Sequence, residues 1–504
     1  MKTLEQLVMA VDDARPALVD RWEAAALVES FGYTDGHIVA AFGFGDSLAL
    51  GEYLVTRQKE RTSRRAQPPA RVPDAGATAY WRAITWSLAY AMPWLIVFLA
   101  EAKRPDFLQL SPDAAAPMSV ALMGSLIVSG GFVQVLARRG RFYLGIAQPH
   151  LAGMACFILV FAGLVAAGIV ALGGLFVGWY FSLFAWPFLL LGACYFVVAT
   201  ALWMECAILS LDASAWRIPL VFIVGGAAFA GARALGVGTL LAQVIAASTA
   251  VLCANAQIPQ MFRQGAAEGR WQDLFNTNLA IVVHSLTPYF LYGLLYFTFV
   301  MADRISASAA VVALGQGTFG VPRAYKEGMD LALLTFLLAA ALIECCNVAL
   351  MREWQRAGAL AYEPEFRTGA SQLRRRRNRL IVLLVVGFLA VAYGVRAAAE
   401  PLMGRSLNGI TESILIAGDL GYLLLTVGLL NGLALLSLNR VECVVRALAV
   451  SVAVNFIAGG VLSHLVGAYL ATTGLTTGGA VFAVLTGRDV RELLESPDVA
   501  YLGA

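Results

Sequence analysis

Long apolar runs recur along the chain between about residues 80 and 486, and short polar segments separate them. Each run is close to the ~20 residues that an α-helix needs to cross the hydrocarbon core of a bilayer. Short hairpin links are expected just before Gly178, at Leu235–Gly238 and near His464. The pattern predicts twelve spans at 80–100, 116–137, 150–174, 178–208, 216–235, 237–258, 277–301, 330–351, 379–398, 411–437, 442–462 and 465–486.

The amino-terminal residues show a different pattern, with shorter apolar stretches. Ala17–Ser30 has helical apolar spacing, and Thr34 or Asp35 can cap a second short helix. Asp46 can cap a third, because a side-chain oxygen satisfies the free backbone amides of a first helical turn. The segment 57–73 is basic and becomes rich in proline, as linkers often are. We expect a small helical cytoplasmic module here, either a docking site for a partner or an appendage for folding and insertion.

A weak internal repeat divides the spans into two halves. Leu209–Asp212 closes the fourth span and resembles Leu436–Asn439, which closes the tenth; Ala250-Val251 and Ala480-Val481 have nearly the same offset. Two parallel six-span halves with a pathway between them are typical of several transporter classes. The predicted fold is an all-α polytopic membrane protein with about twelve transmembrane helices in two six-helix bundles. Its predicted parts are a module and linker at 1–75, bundles at 80–258 and 276–486, and a cytoplasmic tail at 487–504.

Composition agrees with a membrane protein. Hydrophobic residues make up 59% of the chain and charged residues 14%, and the mean hydropathy is +0.73. A soluble domain is nearer half apolar and a quarter charged. The net charge of +3 gives no reason to expect a nucleic-acid partner. The seven cysteines include no C-x-x-C pair, so we expect no disulfide framework, metal site or cofactor.

The basic residues predict the orientation of the chain. No secretory signal opens it, and the arginines concentrate in alternate links and in the amino-terminal segment, which the positive-inside rule places in the cytoplasm. We therefore expect both termini to be cytoplasmic, in a bacterial inner membrane. The run Arg374-Arg375-Arg376-Arg377 precedes the ninth span and is interpreted as an anchor to anionic lipid headgroups.

Polar side chains inside spans are candidates for cargo binding or proton coupling, because such groups are expensive in lipid and usually face a cavity or one another. Glu205 could snorkel to the interface instead. Glu344 could pair with Arg352, titrate near physiological pH, or accept hydrogen bonds from a sugar. Asp419 could face a cavity or lie near the outer interface. The full set is Glu205, Arg233, His284, Tyr289, Glu344 and Asp419.

Simpler roles are open for several polar residues. We expect Arg233 at the outer interface, and His284 is more often a helix–helix hydrogen-bonding residue than a proton relay. Asn431 and Asn455 are interpreted first as interhelical hydrogen-bonding residues. The longest predicted outer link, Ala302–Met329, contains no tight acidic cluster. No H-E-x-x-H, Walker or G-x-S-x-G pattern occurs, so we do not expect an enzyme.

Two stretches resemble the polysaccharide-exporter branch of the multidrug/oligosaccharidyl-lipid/polysaccharide flippase superfamily. The first runs from Arg323-Ala324-Tyr325-Lys326 through Glu344 to Trp354-Gln355-Arg356, and is similar to a span of Pel exopolysaccharide transporter proteins. The second resembles the carboxy-terminal pattern of the flippases. It comprises Leu420-Gly421-Tyr422-Leu423, Asn431, Leu438-Asn439-Arg440, Asn455, Gly459-Gly460 and Gly474–Ala480.

The resemblance implies two six-helix bundles around a cavity that opens alternately to each side of the membrane. It implies a polysaccharide or lipid-linked glycan as cargo. A major-facilitator transporter is an alternative, because Arg138-Arg139-Gly140-Arg141 lies where that fold has a basic turn. Another is a non-transporting membrane scaffold of an envelope polysaccharide synthase complex, with residues 1–75 and Arg374–Arg377 as its docking surfaces. A flippase needs a polar cleft between its halves, whereas a scaffold can be packed solid.

Overall fold

The structure is a computed structural model, and it divides the chain into two compact units, Met1–Asp74 and Ala75–Ala504. The residues that it describes are almost entirely helical and include no β-strand. They are 4–14, 18, 20–64, 77–103, 110–145, 148–211, 214–262, 279–315, 319–359, 366–404 and 406–495.

The amino-terminal unit contains four helices: α1 (Leu4–Ala14), α2 (Arg21–Ser30), α3 (Asp35–Phe42) and α4 (Ser47–Arg64). Asp20 caps α2 by accepting from the amides of Trp22 and Glu23, and Asp46 accepts from the Ala49 amide at the start of α4. The predicted helix at Ala17–Ser30 therefore begins a few residues later. Helix α1 was not predicted, and α4 continues to Arg64, into the segment expected to be linker. A core of Leu7, Val11, Val28, Ile38 and Leu50 joins the four helices.

Twelve further helices follow, and among the described residues these twelve are each long and apolar enough to cross a bilayer. Helices are favoured because lipid offers no hydrogen bonds, so every backbone group must be satisfied within the segment. They are α5 (Ala77–Lys103), α6 (Pro112–Gly145), α7 (Pro149–Tyr180), α8 (Trp186–Leu209), α9 (Arg217–Ala234), α10 (Thr239–Phe262), α11 (Leu279–Ala313), α12 (Arg323–Ala359), α13 (Phe366–Met403), α14 (Gly409–Ser437), α15 (Val441–Leu465) and α16 (Thr472–Glu495).

In chain order these helices form two lobes, α5–α10 and α11–α16, and α5 of the first lobe packs mainly against α12 of the second. In the first lobe, α8 packs against α6, α7 and α10. In the second, α14 packs against α12 and α16, and α15 packs against α11 and α16. The lobes meet mainly through α6 against α11 and through α5 against α12. The prediction of twelve helical spans is confirmed.

Two membrane faces can be distinguished by their arginines. We call the face at which α6 ends and α11 begins the basic face; it carries Arg138, Arg139, Arg141, Arg352 and Arg374–Arg377. The other face, at which α11 ends and α12 begins, is called the opposite face.

The helix boundaries correct the sequence prediction in two places. The predicted outer link Ala302–Met329 is wrong, because α11 continues to Ala313 and α12 already begins at Arg323. Asp303 and Arg304 in that stretch form an ion pair inside the lobe, so these charged residues can stay within a membrane helix instead of ending it. The hairpin placed just before Gly178 lies instead between Tyr180 and Trp186, whereas the break at Leu235–Gly238 is as expected, with Gly236 in the left-handed conformation at φ 80°.

Candidate functional site

The two lobes touch where α6 crosses α11, and glycines form this crossing. A Cβ atom built on Gly293 would overlap the backbone carbonyl of Gly130, and one built on Gly130 would lie 2.7 Å from the Gly293 carbonyl oxygen. A Cβ on Gly131 would lie 2.6 Å from the ring of Phe290. Larger residues would push the helices apart, so this close approach of two backbones requires glycine.

Aromatic and polar side chains extend the crossing toward the basic face. The rings of Phe132 and Phe290 pack edge to face with centroids 5.1 Å apart. The Arg138 guanidinium lies 5.0 Å from the centre of the Tyr289 ring. The Tyr289 hydroxyl in turn donates to Oδ1 of Asn439 at 3.0 Å, in the turn between α14 and α15. These contacts join the first lobe to two parts of the second.

Helices α5 and α12 make a second connection between the lobes at the basic face. Nη1 of Arg352 donates to the Tyr80 hydroxyl at 3.2 Å, and its guanidinium lies 5.0 Å from the centre of that ring. The Arg141 side chain of α6 interacts electrostatically with the Glu344 carboxylate of α12. We call all these cross-lobe contacts together the basic-side seal: Gly130, Gly131, Phe132, Arg138, Arg141 and Tyr80 with Gly293, Phe290, Tyr289, Asn439, Glu344 and Arg352.

Toward the opposite face, α6 and α11 each pack inside their own lobes. Ala114 and Met118 of α6 form a cluster with Leu240 of α10 and Phe188 of α8. The Ser306 carbonyl of α11 accepts from the Ser463 hydroxyl of α15 at 3.4 Å. Between these ends and the glycine crossing, Met123 and Leu126 of α6 belong to the same buried cluster as Tyr292 and Phe299 of α11.

Glu344 lies at the interface of the lobes, partly buried on α12. Its carboxylate interacts electrostatically with Arg141 of the first lobe and with Tyr292 of α11. The alternative pairing with Arg352 is not what the structure shows, because Arg352 binds Tyr80 instead. Glu344 and Tyr289 are the two predicted candidates that lie at the interface of the lobes, at separate places along it.

Glu205 is buried inside the first lobe, with only 4% of its surface exposed. Nδ2 of Asn255 on α10 donates to its Oε1 at 2.6 Å, while its Oε2 is buried and has no hydrogen-bond partner. A snorkelling side chain would reach water, so this geometry disfavours that alternative. The structure holds the side chain between α8 and α10, away from the basic-side seal.

Asp419 occupies a comparable position inside the second lobe. It lies on α14 against the Thr335 hydroxyl of α12, and its Oδ1 is buried without a hydrogen-bond partner. Arg233 donates from Nη1 to the Val237 carbonyl at 2.9 Å, which satisfies a backbone acceptor in the hairpin after α9. His284 is exposed near the start of α11. These three residues do not converge with the seal.

The four consecutive arginines have two different environments. Arg374, Arg375 and Arg376 are exposed, as an anchor to lipid headgroups requires, and that role stays a prediction. Arg377 is only 7% exposed and points into the second lobe, where Nε and Nη2 both donate to Oδ1 of Asn431, at 3.1 and 2.8 Å. Asn431 therefore joins α14 to α13, as expected of an interhelical hydrogen-bonding residue. Asn455 does the same between α15 and α11 by donating to the Phe299 carbonyl at 3.0 Å.

Sequence reasoning missed a buried charge network in the second lobe. Arg304 of α11 is 8% exposed and lies 3.7 Å from Oδ1 of Asp303 and 3.2 Å from Oδ1 of Asp330 on α12. Its Nη1 also donates to the Tyr422 hydroxyl of α14 at 3.3 Å, and the Tyr325 hydroxyl donates to Oδ2 of Asp303 at 2.9 Å. Three helices are thus tied together nearer the opposite face than the crossing of the lobes.

The sequence contained one signal for this network. Asp303 and Arg304 stand directly after a long apolar run, and the predicted seventh span ends just before them, at residue 301. The partners Tyr325, Asp330 and Tyr422 are distant in sequence, and pairwise contact among them appears only in the folded lobe. Among the described residues, no cluster of three or more His, Cys, Asp or Glu side chains could hold a metal ion.

The architecture is that of a twelve-helix membrane protein with the MATE fold. The chain is similar to a solved Vibrio cholerae MATE transporter, at 16% identity over 84% of this chain and 97% of that chain, with a TM-score of 0.56. It is also similar to an outward-facing multidrug resistance MATE transporter of the MOP superfamily, at 14% identity over 83% and 97% of the two chains, with a TM-score of 0.54.

At these identities the likeness establishes the fold alone. No protein-family profile matches the sequence, and no curated protein matches it. The expected fold, an all-α membrane protein of about twelve helices, is confirmed, and the two solved structures named above have the MATE fold.

Proposed function

We propose that this protein is an alternating-access membrane transporter whose two lobes rock about the basic-side seal. The proposed cargo is a polysaccharide or a lipid-linked glycan, exported across a bacterial inner membrane whose cytoplasmic side is the basic face. In many transporters two helical bundles rock against each other as rigid bodies, and this motion exposes one binding site to each side of the membrane in turn.

The observation that carries the proposal is the character of the cross-lobe contacts. The lobes meet through a glycine crossing, a few polar contacts and the apolar side chains Met123 and Leu126 of α6, which join the main cluster of the second lobe. The first lobe has further buried clusters of its own. A surface cation–π contact such as Arg138 on Tyr289 is worth only about 0.5–1 kcal/mol, so the polar part of the seal can open without unfolding either lobe.

Support for a glycan cargo is separate from support for rocking. It rests on the resemblance of the segments around Glu344 and Tyr422 to flippases, and on side chains that can bond sugar hydroxyls. Carboxylate, amide and phenol groups all hydrogen-bond hydroxyls, and the interface offers Glu344, Asn439 and Tyr289. The MATE fold by itself does not specify a cargo, so the cargo is tested directly.

Rocking is tested by thiol accessibility. In a variant without native cysteines, Gln134 of α6, whose Cγ faces Gly293 behind the seal, is replaced by cysteine. A small membrane-impermeant reagent is added to the basic side of reconstituted vesicles. We expect slow labelling that accelerates when the seal is weakened by Arg138→Ala. Leu172→Cys, on the lipid-exposed surface of α7, is the matched position that should stay unlabelled in both backgrounds.

Cargo is tested in vesicles that contain a fluorescent lipid-linked oligosaccharide, with an added quencher reporting the outer leaflet. Protein-dependent movement between leaflets, absent when the seal is locked by a cross-link between α6 and α11, supports glycan transport. No movement together with normal rocking would reassign the cargo. If neither rocking nor movement occurs, the protein is better described as a scaffold for a synthase complex.

A further inference from the structure

One face of α2 in the amino-terminal unit is exposed. Val28 and its buried neighbours turn toward the core of the unit, whereas Trp22, Ala26 and Glu29 are exposed. These three residues are four and three positions apart, so they form one row along the helix. The Trp22 side chain is 60% exposed. The row therefore has an aromatic ring at one end and a carboxylate at the other.

Packing against α4 holds this row in place. A Cβ atom built on Gly51 of α4 would lie 2.5 Å from the Arg21 carbonyl oxygen, so the two backbones touch at the start of α2. At the end of α2, the Ser47 hydroxyl donates to Oε1 of Glu29 at 2.9 Å. Since α4 contacts α2 at both ends, the row is part of the packed unit and does not depend on a loop.

A charged pair lies beside Trp22. Oε2 of Glu52 on α4 is 3.9 Å from Nη1 of Arg21, and both side chains are exposed. The Arg21 guanidinium also lies 5.7 Å from the centre of the Trp22 ring. A tryptophan face attracts a guanidinium or ammonium group through its negative π surface. The ring and the nearby carboxylate are thus a suitable environment for a cation from a partner.

The other end of the row continues onto α3. Oδ1 of Asp35 accepts from the Ser47 amide at 2.8 Å, so Asp35 lies near Glu29, which binds the hydroxyl of the same serine. One turn further along α3, Val39 is exposed on the side of Asp35. The continuous surface that results is called the acidic aromatic surface: Trp22, Ala26, Glu29, Asp35, Val39 and Glu52.

The charge of this part of the chain indicates the chemistry of its partner. Residues 1–56 contain nine Asp or Glu and three Lys or Arg, a net charge of −6, although the whole chain carries +3. Anionic lipid headgroups repel such a surface, whereas a basic polypeptide segment is attracted to it. Exposed tryptophan is enriched at the centres of protein interfaces. Charge and composition together favour a basic protein partner over a membrane surface.

We propose that the acidic aromatic surface binds a basic cytoplasmic segment of a second integral membrane protein. Such proteins concentrate Lys and Arg in their cytoplasmic links. An Arg or Lys of the partner stacks on the Trp22 ring, other basic groups pair with the three carboxylates, and an apolar side chain covers Ala26. The inference rests on the proposed orientation, which puts the amino-terminal unit in the cytoplasm, and it is independent of the cargo.

The first test is binding of a fluorescent peptide to the full-length protein in nanodiscs of neutral lipid, followed by anisotropy. The probe is a helical peptide with Arg residues flanking one apolar stripe, and a scrambled peptide of the same composition is its control. Trp22→Ala should weaken binding of the ordered peptide by roughly 30-fold, the loss typical of a tryptophan at an interface centre. Trp81→Ala, on a side chain 63% exposed on α5, should bind like wild type.

The carboxylates are tested separately. Glu29→Gln combined with Glu52→Gln should weaken binding by roughly fivefold and make it less sensitive to salt, because two exposed charge pairs are lost. Glutamine at position 29 still accepts from Ser47, so the unit should keep its stability. Glu492→Gln removes the same charge from an exposed ion pair on α16 and should leave affinity and salt dependence unchanged.

Two peptide results would overturn the proposal: wild-type affinity in Trp22→Ala, and equal binding of the ordered and scrambled peptides. Photocrosslinking in cells then distinguishes protein from lipid. A photoreactive phenylalanine in place of Trp22 should crosslink to a Lys- and Arg-rich segment of a membrane protein, located by mass spectrometry. Crosslinks to phospholipid, or to segments without basic residues, would also overturn it. Glycan movement in the leaflet assay needs no partner peptide, so failure here is distinguishable from failure of the transport proposal.

Discussion

The Arg138 guanidinium lies 5.0 Å from the centre of the Tyr289 ring, and this contact joins α6 of the first lobe to α11 of the second. Tyr289 also donates its hydroxyl to Asn439, so one side chain links three separate segments. The arrangement makes Tyr289 the polar centre of the seal at the basic face.

Replacing Arg138 should shift the population of the two lobes toward an open basic side. Arg138→Ala removes a contact worth about 0.5–1 kcal/mol, which corresponds to a change of roughly two- to fivefold in a two-state equilibrium. Distances between spin labels on α6 and α12 would report this change. Arg374→Ala removes an equally exposed charge outside the seal, and an identical shift in that variant would argue against a specific role for Arg138.

A larger residue at the glycine crossing should hold the lobes apart. In Gly293→Leu the new side chain would occupy the space of the Gly130 backbone, so α6 and α11 cannot close while each lobe keeps its own packing. We expect faster thiol labelling of Gln134→Cys from the basic side, with a folded protein. Gly173→Ala on α7, where a Cβ meets no atom within 4 Å, should label like wild type. Slow labelling in Gly293→Leu would contradict the crossing as a gate.

Removing Asn431 should destabilise the second lobe more than removing its partner. Asn431→Ala removes the acceptor of two hydrogen bonds from the buried Arg377 and leaves it only the Gly487 carbonyl. The expected cost is about 1.5–3 kcal/mol, the range for hydrogen bonds to charged groups, whereas Arg377→Met removes the charge itself and should cost less. Thermal unfolding in detergent compares the two. Arg376→Ala, on an exposed neighbour, should stay near wild type. Equal losses for Asn431→Ala and Arg377→Met would mean that packing, not the buried charge, decides stability.

Neutralising Glu344 should make export insensitive to pH. Glu344→Gln keeps the size and most of the hydrogen bonding of the side chain but cannot bind or release a proton. We expect normal protein levels and a flat activity profile across a wide pH range, measured as glycan movement in vesicles. Glu344→Asp, which still titrates, is the matched control. A Glu344→Gln variant with the wild-type pH profile would remove the coupling role.

Neutralising Glu205 separates its structural contact from any transport role. Glu205→Gln retains an acceptor for the Asn255 amide, so we expect the stability to change by no more than about 1 kcal/mol. Asn255→Ala removes that donor from a buried carboxylate and should be the more destabilising variant. Unfolding midpoints test this order, and leaflet assays show whether Glu205→Gln also changes transport.

The helices were predictable because bilayer thickness imposes a length and lipid imposes an apolar composition. The environment of Arg377 was predictable in principle as well. It belongs to the stripe Leu373, Arg377, Leu380 and Leu384, whose spacing of three and four residues puts one face of α13 inward, and all four are buried. This spacing was overlooked because Arg377 is one of four consecutive arginines, and all four were interpreted together as one surface anchor.

The contacts between the lobes were not predictable in the same way. Gly130 and Gly293 are two of 48 glycines, and nothing local marks them as partners. Asp303 and Arg304 had the composition of a link. Only the hydrogen bonds to their partners on α12 and α14 lower the free-energy cost of burying these charges in a membrane helix. Long-range pairing of this kind depends on how helices cross, and span prediction does not supply it.

The crossing of Gly130 and Gly293 brings two backbones together without any ionisable atom. Ionic strength should therefore act only on the surrounding contacts of Arg138, Arg141 and Arg352, and leave this inner contact unchanged. High salt should thus shift the lobes toward the open basic side in the same direction as Arg138→Ala, while the glycine contact at the centre keeps its strength.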